Sequence, residues 1–293
     1  MRTSIRHVRT RFGDIAYTQD GEGPPALFVH GVFLNGFLWR GVIERVAGQR
    51  RCIAIDLLAH GETRTAPEAD LSFDGNAEML EAVCEALDLQ QVDLVGNDSG
   101  GGIAQIFAAR YPHRIRSLTL TNCDAHDNWP PKAFLPIIEV VRSGRLREVA
   151  PAAIADPEIG RRMLAVGYEQ PAAIAAATIQ TYLEPLFRSP DRIGLLERWF
   201  DSLNPQETVA AEPGLKRLSA PALIVWGDGD VFFDVRWAHW LHATLPGARP
   251  PVILQGAKLF FPEERPEALA QALGAFWSGA PSAAQPSSEG HAA

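Results

Sequence analysis

The run Leu94-Val95-Gly96-Asn97-Asp98-Ser99-Gly100-Gly101-Gly102 leaves the backbone few options. The apolar residues from Val92 suit a strand buried on both faces, and a helical pattern follows at once, up to Pro112. A strand must therefore turn into a helix within a residue or two. Only small neighbours permit so tight a turn, and the residue at its apex, Asp98, is expected to carry strained dihedrals. The helix N-terminus beside it favours a carboxylate, and the Ser99 amide is placed to act as an oxyanion donor. The plain alternative is an aspartate that merely caps a helix. The rhythm of the surrounding chain favours the functional reading.

That rhythm is strand and helix in alternation. Residues 5–11 and 14–18 read as strands joined at Gly13, and 26–29, 52–56, 92–96 and 118–121 as further short strands. Between them, Ala77, Leu80, Val83, Ala86 and Leu87 recur at helical spacing. Such alternation predicts a mostly parallel sheet covered by helices. From about 124 to 219 no strand pattern occurs, and prolines break the segment into short helices. It reads as a helical lid inserted into the sheet domain. Strands return at 222–226 and 251–254, with helices at 234–245 and 266–277. The expected organisation is a core of 1–124 and 219–278, a lid (cap) of 125–218, and a disordered tail of 279–293.

Composition narrows the class. Charged residues make up 21% and hydrophobic residues 46% of 293, as in an ordinary globular enzyme. The formal charge of -8, with no basic cluster, argues against a nucleic-acid partner. Three scattered cysteines, Cys52, Cys84 and Cys123, read as buried thiols in a reducing compartment, and the N-terminus lacks a secretory apolar stretch. No apolar run is long enough for a membrane span. The expectation is a cytoplasmic monomer or homodimer with no membrane or nucleic-acid partner. No dinucleotide or phosphate loop follows any strand, and no metal-ligand spacing occurs, so neither cofactor nor metal is implied.

Gly96-Asn97-Asp98-Ser99-Gly100 resembles the G-x-nucleophile-x-G elbow of the α/β-hydrolase fold, and the resemblance extends over roughly residues 5–278. Aspartate at the apex is what haloalkane dehalogenases and epoxide hydrolases of this fold use. The resemblance further implies that His30-Gly31 opens an oxyanion loop with Val32 as second backbone donor. It also implies that Asp230, in Trp226-Gly227-Asp228-Gly229-Asp230, is the acid member of the catalytic set. Asn97-Asp98-Ser99-Gly100-Gly101 also echoes the serine region of trypsin-like proteases, but those are double β-barrels, and Ser99 lies one residue past the apex.

One family position is broken. In Gly256-Ala257-Lys258-Leu259-Phe260-Phe261-Pro262-Glu263-Glu264 the flanks match the segment that bears the catalytic histidine, and Leu259 stands where histidine is expected. Leucine accepts no proton. An aspartyl ester formed at Asp98 would then lack its usual base for hydrolysis. Of the eight histidines, His126 is the leading relocated base, with Asp124 to orient it, and His60 is the second candidate. The dehalogenase indole that follows the nucleophile is replaced by Ser99. Asn35, Trp39 or Trp129 could donate to a leaving group instead. Tyr168 and Tyr182 occupy the lid, where epoxide hydrolases keep their proton-donating tyrosines, while Phe33 replaces a proline of their oxyanion loop. With His30 and Phe232, these residues make up the expected pocket. The resulting expectation is a hydrolase that uses Asp98, through a covalent ester, on a small hydrophobic substrate (an epoxide, alkyl halide or ester-like compound) and water. The alternative is a catalytically impaired, hydrolase-like protein that binds a small molecule.

Overall fold

The computed structural model describes residues 4–279. The tail expected at 279–293 falls outside the described residues from 280 onward, as does His291. Among the described residues nine strands form one sheet: β1 (Arg6–Thr10), β2 (Gly13–Asp20), β3 (Pro25–Val29), β4 (Arg51–Ile55), β5 (Arg64–Thr65), β6 (Val92–Asp98), β7 (Ile115–Cys123), β8 (Ala222–Gly227) and β9 (Val252–Leu254). Their order is β1-β2-β4-β3-β6-β7-β8-β9, with β5 paired to β2. β1 and β2 are antiparallel to each other, and β2 is antiparallel to β4. From β4 to β9 every neighbouring pair is parallel. β6 and β8 are buried along their whole length, as continuous apolar runs demand.

Twelve α-helices and five short 3-10 helices complete the described residues. α1 (Arg40–Val46), α2 (Phe73–Ala86) and α3 (Ser99–Arg110) connect the first strands. α4 (Leu135–Arg142), α5 (Leu146–Ala155), α6 (Pro157–Leu164), α7 (Ala176–Phe187), α8 (Pro190–Asp201) and α9 (Gln206–Leu215) all lie between β7 and β8. α10 (Arg236–Thr244), α11 (Phe261–Glu264) and α12 (Pro266–Trp277) follow the last strands. α3 packs against α2 and α9, and α1 against α12. None of these helices is long and apolar enough to cross a membrane.

The fold itself selects a site. The chain runs from β3 to β4 on one side, whereas β6 pairs on the other side of β3. In open parallel sheets, ligands bind where strand order reverses, at the carboxyl ends of the strands. His30-Gly31 follow the carboxyl end of β3 directly, and β6 ends at Asp98.

Candidate active site

Asp98 ends β6 and precedes the first residue of α3, with φ 58° and ψ -136°. A non-glycine residue in that region stores on the order of 1–3 kcal/mol of strain. The surroundings enforce it by close approach. A Cβ on Gly31 would lie 2.1 Å from Asp98 Oδ2, and one on Gly100 would lie 2.2 Å from the His30 carbonyl oxygen. The loop after β3 and the elbow are therefore in close contact. The Val32 amide donates to Asp98 Oδ2 at 3.1 Å, and the Ser99 amide also bonds this carboxylate.

Asp98 is 5% exposed and lines a small, open cavity. Val32, Phe33, Trp129, Phe134, Phe232 and Leu259 share that lining, and the other wall residues are apolar as well. Burial first, then the nearby Asp230 charge, push the Asp98 carboxyl up to about 8, against the downward pull of the Ser99 and Val32 amides.

Asp230 follows β8. It accepts from Asn122 Nδ2 at 2.8 Å and from the Phe232 amide at 2.9 Å. Burial still raises it to about 6. Asn122 also clasps Gly227, donating to its carbonyl at 2.9 Å and accepting from its amide at 2.6 Å, so one side chain locks the ends of β7 and β8 and orients the acid. Asn97 does the same for the Leu259 segment, donating to the Leu259 carbonyl at 3.1 Å and to the Thr121 hydroxyl at 3.1 Å. Sequence reasoning missed both asparagines. An asparagine is an ordinary loop residue in a sequence, and only complete burial marks these two as positioning groups.

His126 is the first correction. Its φ of 47° turns the ring outward, where Nδ1 lies 3.2 Å from Glu212 Oε2 and the imidazole stacks 5.0 Å from Trp240. It does not line the Asp98 cavity. Asp124 does not orient it: neither carboxylate oxygen of Asp124 has a partner, and burial, then Asp98 and Asp230, raise this acid well above the usual range.

His30 and His60 are buried, and neither lines the Asp98 cavity. His30 Nδ1 donates to the Gly31 carbonyl at 2.7 Å and Nε2 accepts from the Leu57 amide at 3.0 Å, so both nitrogens are committed. Burial, then His60, lowers it to about 3. His60 Nδ1 bonds the Leu58 carbonyl at 2.9 Å, and burial lowers this ring to about 4.

Four further pocket expectations fall elsewhere. Asn35 Oδ1 caps the turn at Phe37, and Nδ2 donates to the Thr181 carbonyl at 2.8 Å, which ties the loop after β3 to α7. Trp39 packs in the core, 5.4 Å from Phe28. Tyr168 and Tyr182 both donate to Glu263 Oε2, at 3.0 and 2.5 Å, and Arg40 Nη2 donates to Oε1 of the same carboxylate at 2.7 Å. The two tyrosines thus anchor the helical segment to α11 and do not line the Asp98 cavity. Val32, Phe33, Trp129, Phe232 and Leu259 do line it, and the hydroxyl of Ser99 is buried without a partner.

A strained aspartate at a strand–helix elbow, two amides on its carboxylate and a second buried acid behind it are the geometry of an α/β-hydrolase. The alpha/beta hydrolase fold family matches residues 24–264, and the chain belongs to it. Haloalkane dehalogenase 2 of Mycobacterium tuberculosis is 28% identical, over 89% of this chain and 90% of its own. The fold superposes on a putative lipase from Acinetobacter baumannii AYE with TM-score 0.80, at 23% identity, covering 94% of this chain and 91% of the other. It superposes on the epoxide hydrolase CorEH with TM-score 0.78, at 20% identity, covering 95% and 99%. The chain is thus a hydrolase of this family, related to haloalkane dehalogenases.

Proposed function

We propose that the protein uses Asp98 as a nucleophile on a small apolar substrate, an epoxide, an alkyl halide or an ester-like compound, through a covalent aspartyl ester. The observation that carries this reading is the Asp98 carboxylate, strained at the elbow, bonded by the Val32 and Ser99 amides, and facing a cavity with otherwise apolar walls. On an alkyl halide or epoxide a carboxylate oxygen attacks the saturated carbon, the carbon–halogen or carbon–oxygen bond breaks, and the electron pair leaves with the halide or stays on the tethered, ring-opened alkoxide, which takes a proton from water. Water must then attack the ester carbonyl, with the two amides holding the oxyanion and a base taking the water proton.

On this reading Leu259 stands in the place of that base, and the second step is slow. Without an imidazolium beside it, the Asp98 carboxyl also holds its proton to higher pH. Intact-mass spectrometry after incubation with a panel of epoxides and haloalkanes tests the proposal. A mass increase on Asp98 that outlasts free substrate, absent in Asp98→Asn, is the expected result. Rapid multiple turnover without accumulation would place a competent base elsewhere. Reversible binding with neither adduct nor turnover would favour the hydrolase-like binding protein to which Leu259 points.

A further inference from the structure

The walls around Asp98 are aromatic to an unusual degree. Phe33, Trp129, Phe134, Phe232, Phe233 and Phe260 all line the cavity. Four of these rings form a continuous series: Trp129 to Phe134 at 6.5 Å, Phe134 to Phe232 at 6.4 Å, and Phe232 to Phe233 at 6.4 Å between centroids. No lining residue carries a positive charge. The charges behind the wall have one sign. Asp230 and Asp124 are both close enough to act on each other and on Asp98, and the family position that would bring an imidazole holds Leu259.

Aromatic faces carry negative quadrupole charge and attract cations within about 6 Å of the ring centroid. A carboxylate at the floor of such a cage adds a Coulombic attraction that the surrounding low dielectric strengthens. A strongly hydrated metal ion or primary ammonium group would lose more on desolvation than these faces return. A quaternary or heavily alkylated ammonium is weakly hydrated and apolar on its surface, and it suits both features of the cavity.

We propose that the Asp98 cavity is a binding site for a small hydrophobic organic cation, of the alkylammonium class, held by its aromatic wall and by the Asp98 carboxylate. The proposal needs Asp98 as the cavity's one acidic group and does not depend on its acting as a nucleophile. Phe134 and Phe232 line the cavity with Asp98, and Trp129 gives the largest ring. Asp230, fixed by Asn122, deepens the negative potential from behind without touching the ligand.

Calorimetric titration at about pH 9, where the Asp98 carboxyl is ionised, separates charge from shape. The probes are benzyltrimethylammonium and its neutral isostere neopentylbenzene. The cation is expected to bind roughly tenfold or more tightly than the isostere. Asp98→Asn should abolish that preference while keeping the isostere's affinity, and Trp129→Leu should reduce it several-fold. Leu259→Lys, which installs a cation in the wall, gives a second route if Asp98→Asn folds poorly, and should exclude the ammonium but not the isostere. Equal affinity of the two probes for the wild type, or a cation preference that survives both Asp98→Asn and Leu259→Lys, would overturn the proposal. Ester formation at Asp98 is read separately by mass, so either proposal can fail alone.

Discussion

At the scale of single residues, the protonation of Asp98 governs the proposed chemistry. Its carboxyl is raised to about 8, so the nucleophilic anion is the minor form at neutral pH. Adduct formation, followed by mass against pH, should therefore climb through about pH 8 and level off above it. Leu259→His should move that rise to lower pH, since an imidazolium near the carboxylate favours its charged form, and should shorten the adduct's lifetime. An unchanged profile would mean that position 259 does not act on Asp98. Asp98 was legible in the sequence because small residues on both sides confine an elbow to few conformations. The outward turn of His126 was not, because a left-handed backbone at a histidine leaves no trace in local pattern.

At the scale of elements, Glu263 fastens the helical segment between β7 and β8 to the rest of the molecule. Two tyrosine hydroxyls and one guanidinium converge on its carboxylate. Glu263→Ala strands those donors in a region where the carboxylate was only 10% exposed. Because the Arg40 side chain is 38% exposed and can rehydrate, the expected loss is about 2 kcal/mol, not the full cost of breaking a buried pair. Urea unfolding measures it, and Glu263→Gln, which keeps an acceptor, should lose less. The strands and long helices follow apolar periodicity and could be read from sequence, down to α12 at Pro266–Trp277. Arg40 and Glu263 lie 223 residues apart, so no periodicity links them. α1 was also missed: a seven-residue helix just after the Phe37–Trp39 aromatic run gives little periodic signal.

At the scale of the whole molecule, buried titratable groups set opposing pH dependences. Asp56 and Asp230 are raised to about 6 and Asp98 to about 8, from 3.8. Acids with raised folded values contribute stability that is complete below the unfolded value and is lost as pH climbs through the folded one, here from about 4 to 8. His30 and His60 work the other way, since their lowered values give stability that is present above 6.5 and is lost on acidification toward 3 to 4. Above about pH 4 the three raised acids outweigh the two lowered histidines, so melting temperature should fall as pH climbs from about 5 to 9, and Asp98→Asn should flatten that fall. A monotonic rise from pH 5 to 9 would contradict that assignment.

The bond from Asn97 to the Leu259 carbonyl has a consequence for how such a protein changes over generations. The segment is held by its main chain: Asn97 grips the Leu259 carbonyl, and the Phe260 amide donates to the Gly167 carbonyl at 2.9 Å. Glu263 moors the same segment four residues on. Nothing in that mooring depends on which side chain occupies position 259. Leu259 itself is 4% exposed and packs in the core, so selection for a stable fold favours an apolar residue there, and only selection for turnover can preserve a base. Once that pressure lapses, the slot is free to drift toward apolar residues while the frame around it stays intact.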